Sequence, residues 1–232
     1  MLLTKLLFVF ASTGILCFVS LLFTDKIWSG KVREYFNGLL ITSGLWSMLV
    51  ALQLYVPASI KPEIYILSLC VGFLTTFFWL YFTMEYAGKT VQHTPSFKLA
   101  IAFLIISILS VKLTNSYHQL YFTYEIVTQP VTYMKIERSI LNIVVTVLAY
   151  AVSLYGIILL LKVFAESRIS QRRLYLPLFL LSLPVLIQVT SLIYTNSVIL
   201  SLPYEPVGVV LFVISILAVS RDVFSSAGSV GG

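Results

Sequence analysis

The sequence predicts an all-α membrane protein, a seven-transmembrane helix bundle with its N-terminus outside and its C-terminus cytoplasmic. Three observations carry this. Of the 232 residues, 59% are hydrophobic and only 10% charged, whereas an ordinary soluble domain carries roughly 25% charge. Apolar runs of about 20 residues, the length that crosses a bilayer, recur along the chain. The basic residues divide unevenly between the two sets of connectors, as they do around membrane spans.

Taken in order, the spans fall near 5–24, 37–56, 65–87, 98–114, 139–163, 174–195 and 206–221. The first begins like a signal peptide, with Lys5 ahead of an apolar run. That run outlasts the usual apolar region of about 7–15 residues, and no small-residue cleavage site follows it, so it is kept as a span. Punctuation expected at interfaces separates the runs: Trp28 and Gly30, Pro57 and Pro62, Gly88 and Pro95, Pro203 and Pro206. Residues 1–221 thus form one membrane domain, and 222–232 a Gly/Ser-rich cytoplasmic tail too short to fold.

Orientation follows from the basic residues. Lys26, Lys31, Arg33, Lys89, Lys98, Lys162, Arg168, Arg172, Arg173 and Arg221 share one side; Lys5, Lys61, Lys112, Lys135 and Arg138 share the other. The richer side is expected to be cytoplasmic. The longest connector, 115–138, then lies outside, carrying Tyr117, His118, Tyr121, Phe122, Tyr124 and Tyr133. Two readings fit these aromatics: a short hairpin or cap on the interface, or an unstructured interfacial loop.

Several chemistries are excluded. The net charge of +6 is spread over short connectors, which suits lipid head groups rather than nucleic acid. His93 and His118 lie in opposite connectors, so no zinc motif forms, and no metal or cofactor is expected. Cys17 and Cys70 sit inside apolar runs as packed thiols. No nucleophile motif, phosphate-binding loop or pair of buried acids occurs, and the last span lacks the lysine that a retinal pigment needs. Lys98, Lys112 and Lys162 stand at span ends, where they are expected to snorkel.

Uncharged polar residues gather toward the outer half. Gln53 ends the second span, Asn142 opens the fifth, and Gln188, Ser191 and Thr195 share one face of the sixth by their spacing of i, i+3 and i+7. Pro184, one turn earlier, is expected to kink that span or free a carbonyl, and Glu205 stands beside Pro206 at the mouth of the seventh. These residues mark a candidate ligand cavity, or else hydrogen bonds between helices worth about 1 kcal/mol each. At the inner end of the third span, Glu85 either pairs with Arg172 or Arg173 or snorkels. Gly44, Ser47 and Gly72 are expected where helices approach closely.

Three segments carry a resemblance: Gly44-Leu45-Trp46; Gly72 to Trp79 leading into Phe82-x-x-Glu85-Tyr86-x-Gly88; and Leu113-Thr-Asn-x-x-His118-x-Leu-Tyr-Phe122. With Arg172 and Arg173, Pro206 and the closing Ser220-Arg-Asp-Val-Phe224, the chain resembles the N-terminal seven-helix sensor region of prokaryotic histidine kinases. The resemblance implies a plasma-membrane receptor with no catalysis of its own, whose last span continues into a kinase or, in some proteins, a cyclic-dinucleotide enzyme. This sequence stops after that span, which suggests an excised sensor region. The resemblance also implies a homodimer. Its other implied partners are the bilayer and an unidentified small-molecule or lipid-like ligand. The alternative is a small transporter or channel, against which stands the lack of a repeat between spans 1–3 and 5–7.

Overall fold

The computed structural model describes residues 2–27, 30–127 and 133–166. Within them lie five long helices: α1 (Leu2–Ser20), α2 (Gly30–Tyr55), α3 (Lys61–Tyr86), α4 (Pro95–Leu113) and α5 (Ile140–Glu166). Each is long and apolar enough to cross a membrane, α1 with its extension counting as Thr4–Phe23. A hairpin of β1 (Phe122–Val127) and β2 (Tyr133–Arg138) joins α4 to α5. The spans predicted at 174–195 and 206–221 lie outside the described residues, and so do Arg172, Arg173, Pro184, Gln188, Ser191, Thr195, Glu205, Pro206 and the 222–232 tail.

Successive helices reverse direction. The starts of α1, α3 and α5 therefore share one end with the hairpin, here called the cap end. The starts of α2 and α4 share the other, the turn end. The first four helices begin earlier than the apolar runs suggest, while α5 begins at Ile140, within a residue of the run. The α2 helix starts at Gly30 rather than 37 because Lys31, Arg33 and Glu34 ride on its first turns, with Arg33 donating to Asp25 at 3.0 Å. The α3 helix starts at Lys61, with Pro62 in the first turn, where its missing N–H costs nothing, and Glu63 facing the positive end of the helix dipole. At its other end Gly88 adopts φ +66°, and the amides of Gly88 and Lys89 donate to the carbonyls of Glu85 and Met84 at 3.0 and 2.9 Å. That closure ties off the last carbonyls of α3 and turns the chain toward α4.

The α3 helix is the hub. It packs against α2, α4 and α5, while α1 packs on α2. Small residues admit large rings at the contacts. A Cβ on Gly72 would meet the Trp46 indole at 2.6 Å, and one on Gly44 would meet Cys17 and Phe18 at 3.1–3.2 Å. The close approach read from Gly44 and Gly72 is thus present, as small-residue packing in membranes requires. Ser47, fully buried, donates to the Phe10 carbonyl at 2.7 Å and pins α2 to α1. Across the hub, the Trp79 indole N–H donates to the Ser153 carbonyl of α5 at 3.2 Å, with Gly156 against the ring.

Of the two readings of 115–138, the hairpin is the one observed. Its register pairs Phe122 with Arg138, Tyr124 with Ile136 and Glu125 with Lys135. Strand alternation puts Phe122, Tyr124, Ile136 and Arg138 on one face. Phe122 and Ile136 of that face meet the bundle: Phe122 is 1% exposed, stands edge-on to Tyr65 of α3 at 5.1 Å, and shares a cluster with Phe73, Phe77, Tyr121, Val145 and Leu159.

Candidate functional site

The cap end is assembled by a short polar relay. After α4, a helical turn at Asn115–His118 is stopped by Gln119 at φ +52°. Asn115 is 2% exposed, and its side chain spans the reversal that follows. Its Oδ1 accepts from the amides of Tyr121 and Phe122 at 2.8 and 3.2 Å, and its Nδ2 donates to the Phe122 carbonyl at 2.9 Å. The Ser139 hydroxyl donates to the Tyr121 carbonyl at 2.9 Å and accepts from the Asn142 amide at 3.3 Å, capping α5. One asparagine and one serine thus anchor the cap to both neighbouring helices.

The predicted ligand residues that fall within the described region sit at this end. Asn142 is 4% exposed and accepts from the Thr146 hydroxyl at 3.2 Å; Val145, next along the same helix face, lies in the cluster under the cap. Gln53 is half-buried near the end of α2, and its carbonyl accepts from Lys61 at 3.2 Å. Among the described residues no hydrogen bond joins Gln53 to Asn142. The two share a level of the bundle, not a contact.

Lys112 corrects one expectation. Rather than snorkelling from the end of α4, it turns inward and is 3% exposed. Its ammonium donates to the Leu69 carbonyl of α3 at 2.9 Å and lies over the rings of Phe73 and Tyr121, at 4.5 and 5.3 Å from their centroids. Charge and position near a helix end are alike for a snorkelling and an inward lysine. Which way it faces depends on the aromatic lid that Tyr121 supplies from the cap. Lys98 and Lys162 are exposed as expected, Lys162 reaching Glu166 at 3.8 Å.

Tyr121 belongs to the same junction. Burial pushes its phenol well above the ordinary range, and Arg138 pulls weakly the other way, so the hydroxyl keeps its proton and can donate.

At the turn end Glu85 is tied locally. Its carboxylate accepts from Gln92 Nε2 at 3.0 Å and faces His93 Nε2 at 2.9 Å. Gln92 is fully buried and also donates to the Lys89 carbonyl. The pairing clamps the connector between α3 and α4 onto the end of α3.

Among the described residues no three of His, Cys, Asp and Glu gather closely enough to hold a metal ion. The arrangement is a helical bundle with a polar, aromatic cap at one end and a clamped turn at the other, the build of a multi-pass membrane protein. Residues 6–226 match the family described as the N-terminal 7TM region of histidine kinase. The chain belongs to that family, and its membrane-embedded helices are those of a histidine kinase sensor region. Comparison with curated proteins finds no match.

Proposed function

We propose that this chain is the input domain of a histidine-kinase-type signalling protein in the plasma membrane, with its cap end outside and its C-terminus in the cytoplasm. A ligand or membrane signal is read at the cap end and coupled to a cytoplasmic output domain, residues 1–221 forming the sensor and 222–232 a flexible connection. The family match across residues 6–226 carries this reading. The geometry supports it by joining the cap to α3 through Lys112 and Phe122, and α3 at its far end to the clamped turn through Glu85. A stimulus can drive such a device only by binding one helix arrangement more tightly than another. In this reading Gln53, Asn142, Gln188, Ser191, Thr195 and Glu205 contribute to recognition. The last two spans shift about Pro184 and Pro206, Arg172 and Arg173 meet Glu85 or the head groups, and the parent kinase is a homodimer.

Two measurements test this. The reading frame beyond Gly232 is expected to continue into a kinase or cyclic-dinucleotide enzyme. Proteoliposomes containing the chain are expected to show no concentrative solute uptake; accumulation against a gradient would make it a transporter and end the sensor reading.

A further inference from the structure

The cap junction holds a cation that no acid among the described residues balances. Lys112 meets one carbonyl and two ring faces, none with a net negative charge. Among the described residues no carboxylate forms an ion pair with it. Arg138 is exposed and pairs across the hairpin with Phe122, which stands edge-on to Tyr65 at 5.1 Å. The hairpin acids Glu125 and Glu137 fall on the opposite strand face. Two cations and two phenols therefore converge where the cap meets α3 and α4.

Depth narrows the ligand. Lys112 is the penultimate residue of a 19-residue span, which at about 1.5 Å per residue nearly equals the roughly 30 Å hydrocarbon core. Its ammonium thus lies near the level of lipid head groups. A buried ionisable side chain in a membrane span is costly and is characteristically kept for a task.

Building on the sensor reading, we propose that this junction binds the anionic head group, carboxylate or phosphate, of a membrane-dissolved amphiphile, with Lys112 as its buried counter-ion and Arg138 at its rim. The phenol of Tyr121 donates a further hydrogen bond. Occupancy then holds Tyr121 and the hairpin in their seat against α3, which carries the change toward the turn end.

The test uses the chain in nanodiscs of zwitterionic phosphatidylcholine, titrated calorimetrically with dodecanoate and dodecyl phosphate, and with acetate and inorganic phosphate as soluble counterparts. At least one amphiphile is expected to bind saturably, and Lys112→Met to weaken it tenfold or more without lowering the thermal midpoint, because losing a buried charge that has no acid partner among the described residues relieves its desolvation cost. Lys112→Arg should recover part of the affinity, and the exposed Arg138→Gln should weaken it about threefold. Unchanged affinity in both Lys112→Met and Arg138→Gln overturns the proposal, as does equal binding of acetate or inorganic phosphate, which assigns the site to a soluble anion. Matching losses of stability in Lys112→Met and Glu205→Gln mark an ion pair within the chain, and these too overturn it. Amphiphile binding together with solute uptake would keep this site and remove the sensor reading, so the two fail separately.

Discussion

Replacing Gly156 by alanine tests whether α5 is seated on α3 as described. The added Cβ would lie 2.5 Å from Trp79 Nε1 and 3.0 Å from both Trp79 Cε2 and the Thr83 hydroxyl, where ordinary contact needs nearly 1 Å more. The indole has little freedom to yield. It is 6% exposed, hydrogen-bonded to the Ser153 carbonyl and packed near Phe82 at 6.2 Å between ring centroids. Overpacking of this kind costs about 1–3 kcal/mol, and stretching the indole hydrogen bond adds about 0.6 kcal/mol. Against these, alanine improves helix propensity by about 1 kcal/mol. The balance is a loss of about 1–2 kcal/mol, read by equilibrium unfolding in mixed micelles. In a Trp79→Phe background the smaller ring leaves room, so the same substitution should cost at least about 0.5 kcal/mol less, the non-additivity expected of touching residues. A neutral or stabilising Gly156→Ala, or strict additivity in the cycle, would refute the packing argument.

Two other substitutions probe the cap and the α1–α2 contact. Asn115→Ala removes three hydrogen bonds to Tyr121 and Phe122 and leaves buried amides unsatisfied, at about 2 kcal/mol; amide hydrogen exchange at these two positions should quicken markedly, and unchanged protection would deny Asn115 its anchoring role. Ser47→Ala deletes the hydrogen bond to Phe10 and is expected to cost only about 0.5–1 kcal/mol, since membrane helices gain little from each such bond; a loss above about 2 kcal/mol in the same unfolding assay would show that more than this bond holds α1.

How much was legible in the sequence varied with the range of the interaction. The apolar runs identify α1 to α5 because bilayer thickness alone sets their length, and the glycines at 44 and 72 announce close contacts because little else fits beside Phe18 or Trp46. Helix starts were misjudged where polar residues such as Lys31 and Glu34 occupy helical turns that hydropathy scores as connector. The aromatic spacing of 115–138 left hairpin and loop equally open, since strand pairing between Phe122 and Arg138 is decided across the reversal. The inward turn of Lys112 was illegible for a related reason: Leu69 and Phe73 belong to another helix, and Tyr121 becomes a lid only after Asn115 has closed the cap. For Gln53 and Asn142, polarity said nothing of which groups would touch, because those partners are chosen by packing within and between helices.

The account rests on the cap end facing outward and the C-terminus facing the cytoplasm, and membrane-impermeant thiol labelling measures this directly. Cys17 and Cys70 are both buried, so the native chain supplies a quiet background for single cysteines at Thr123, on the exposed face of β1, and at Ser225 in the tail. Labelling of Thr123→Cys in intact cells, with Ser225→Cys reacting only after permeabilisation, is the predicted result. Labelling of Ser225→Cys in intact cells would put the C-terminus on the side where no kinase could act, and would contradict the account.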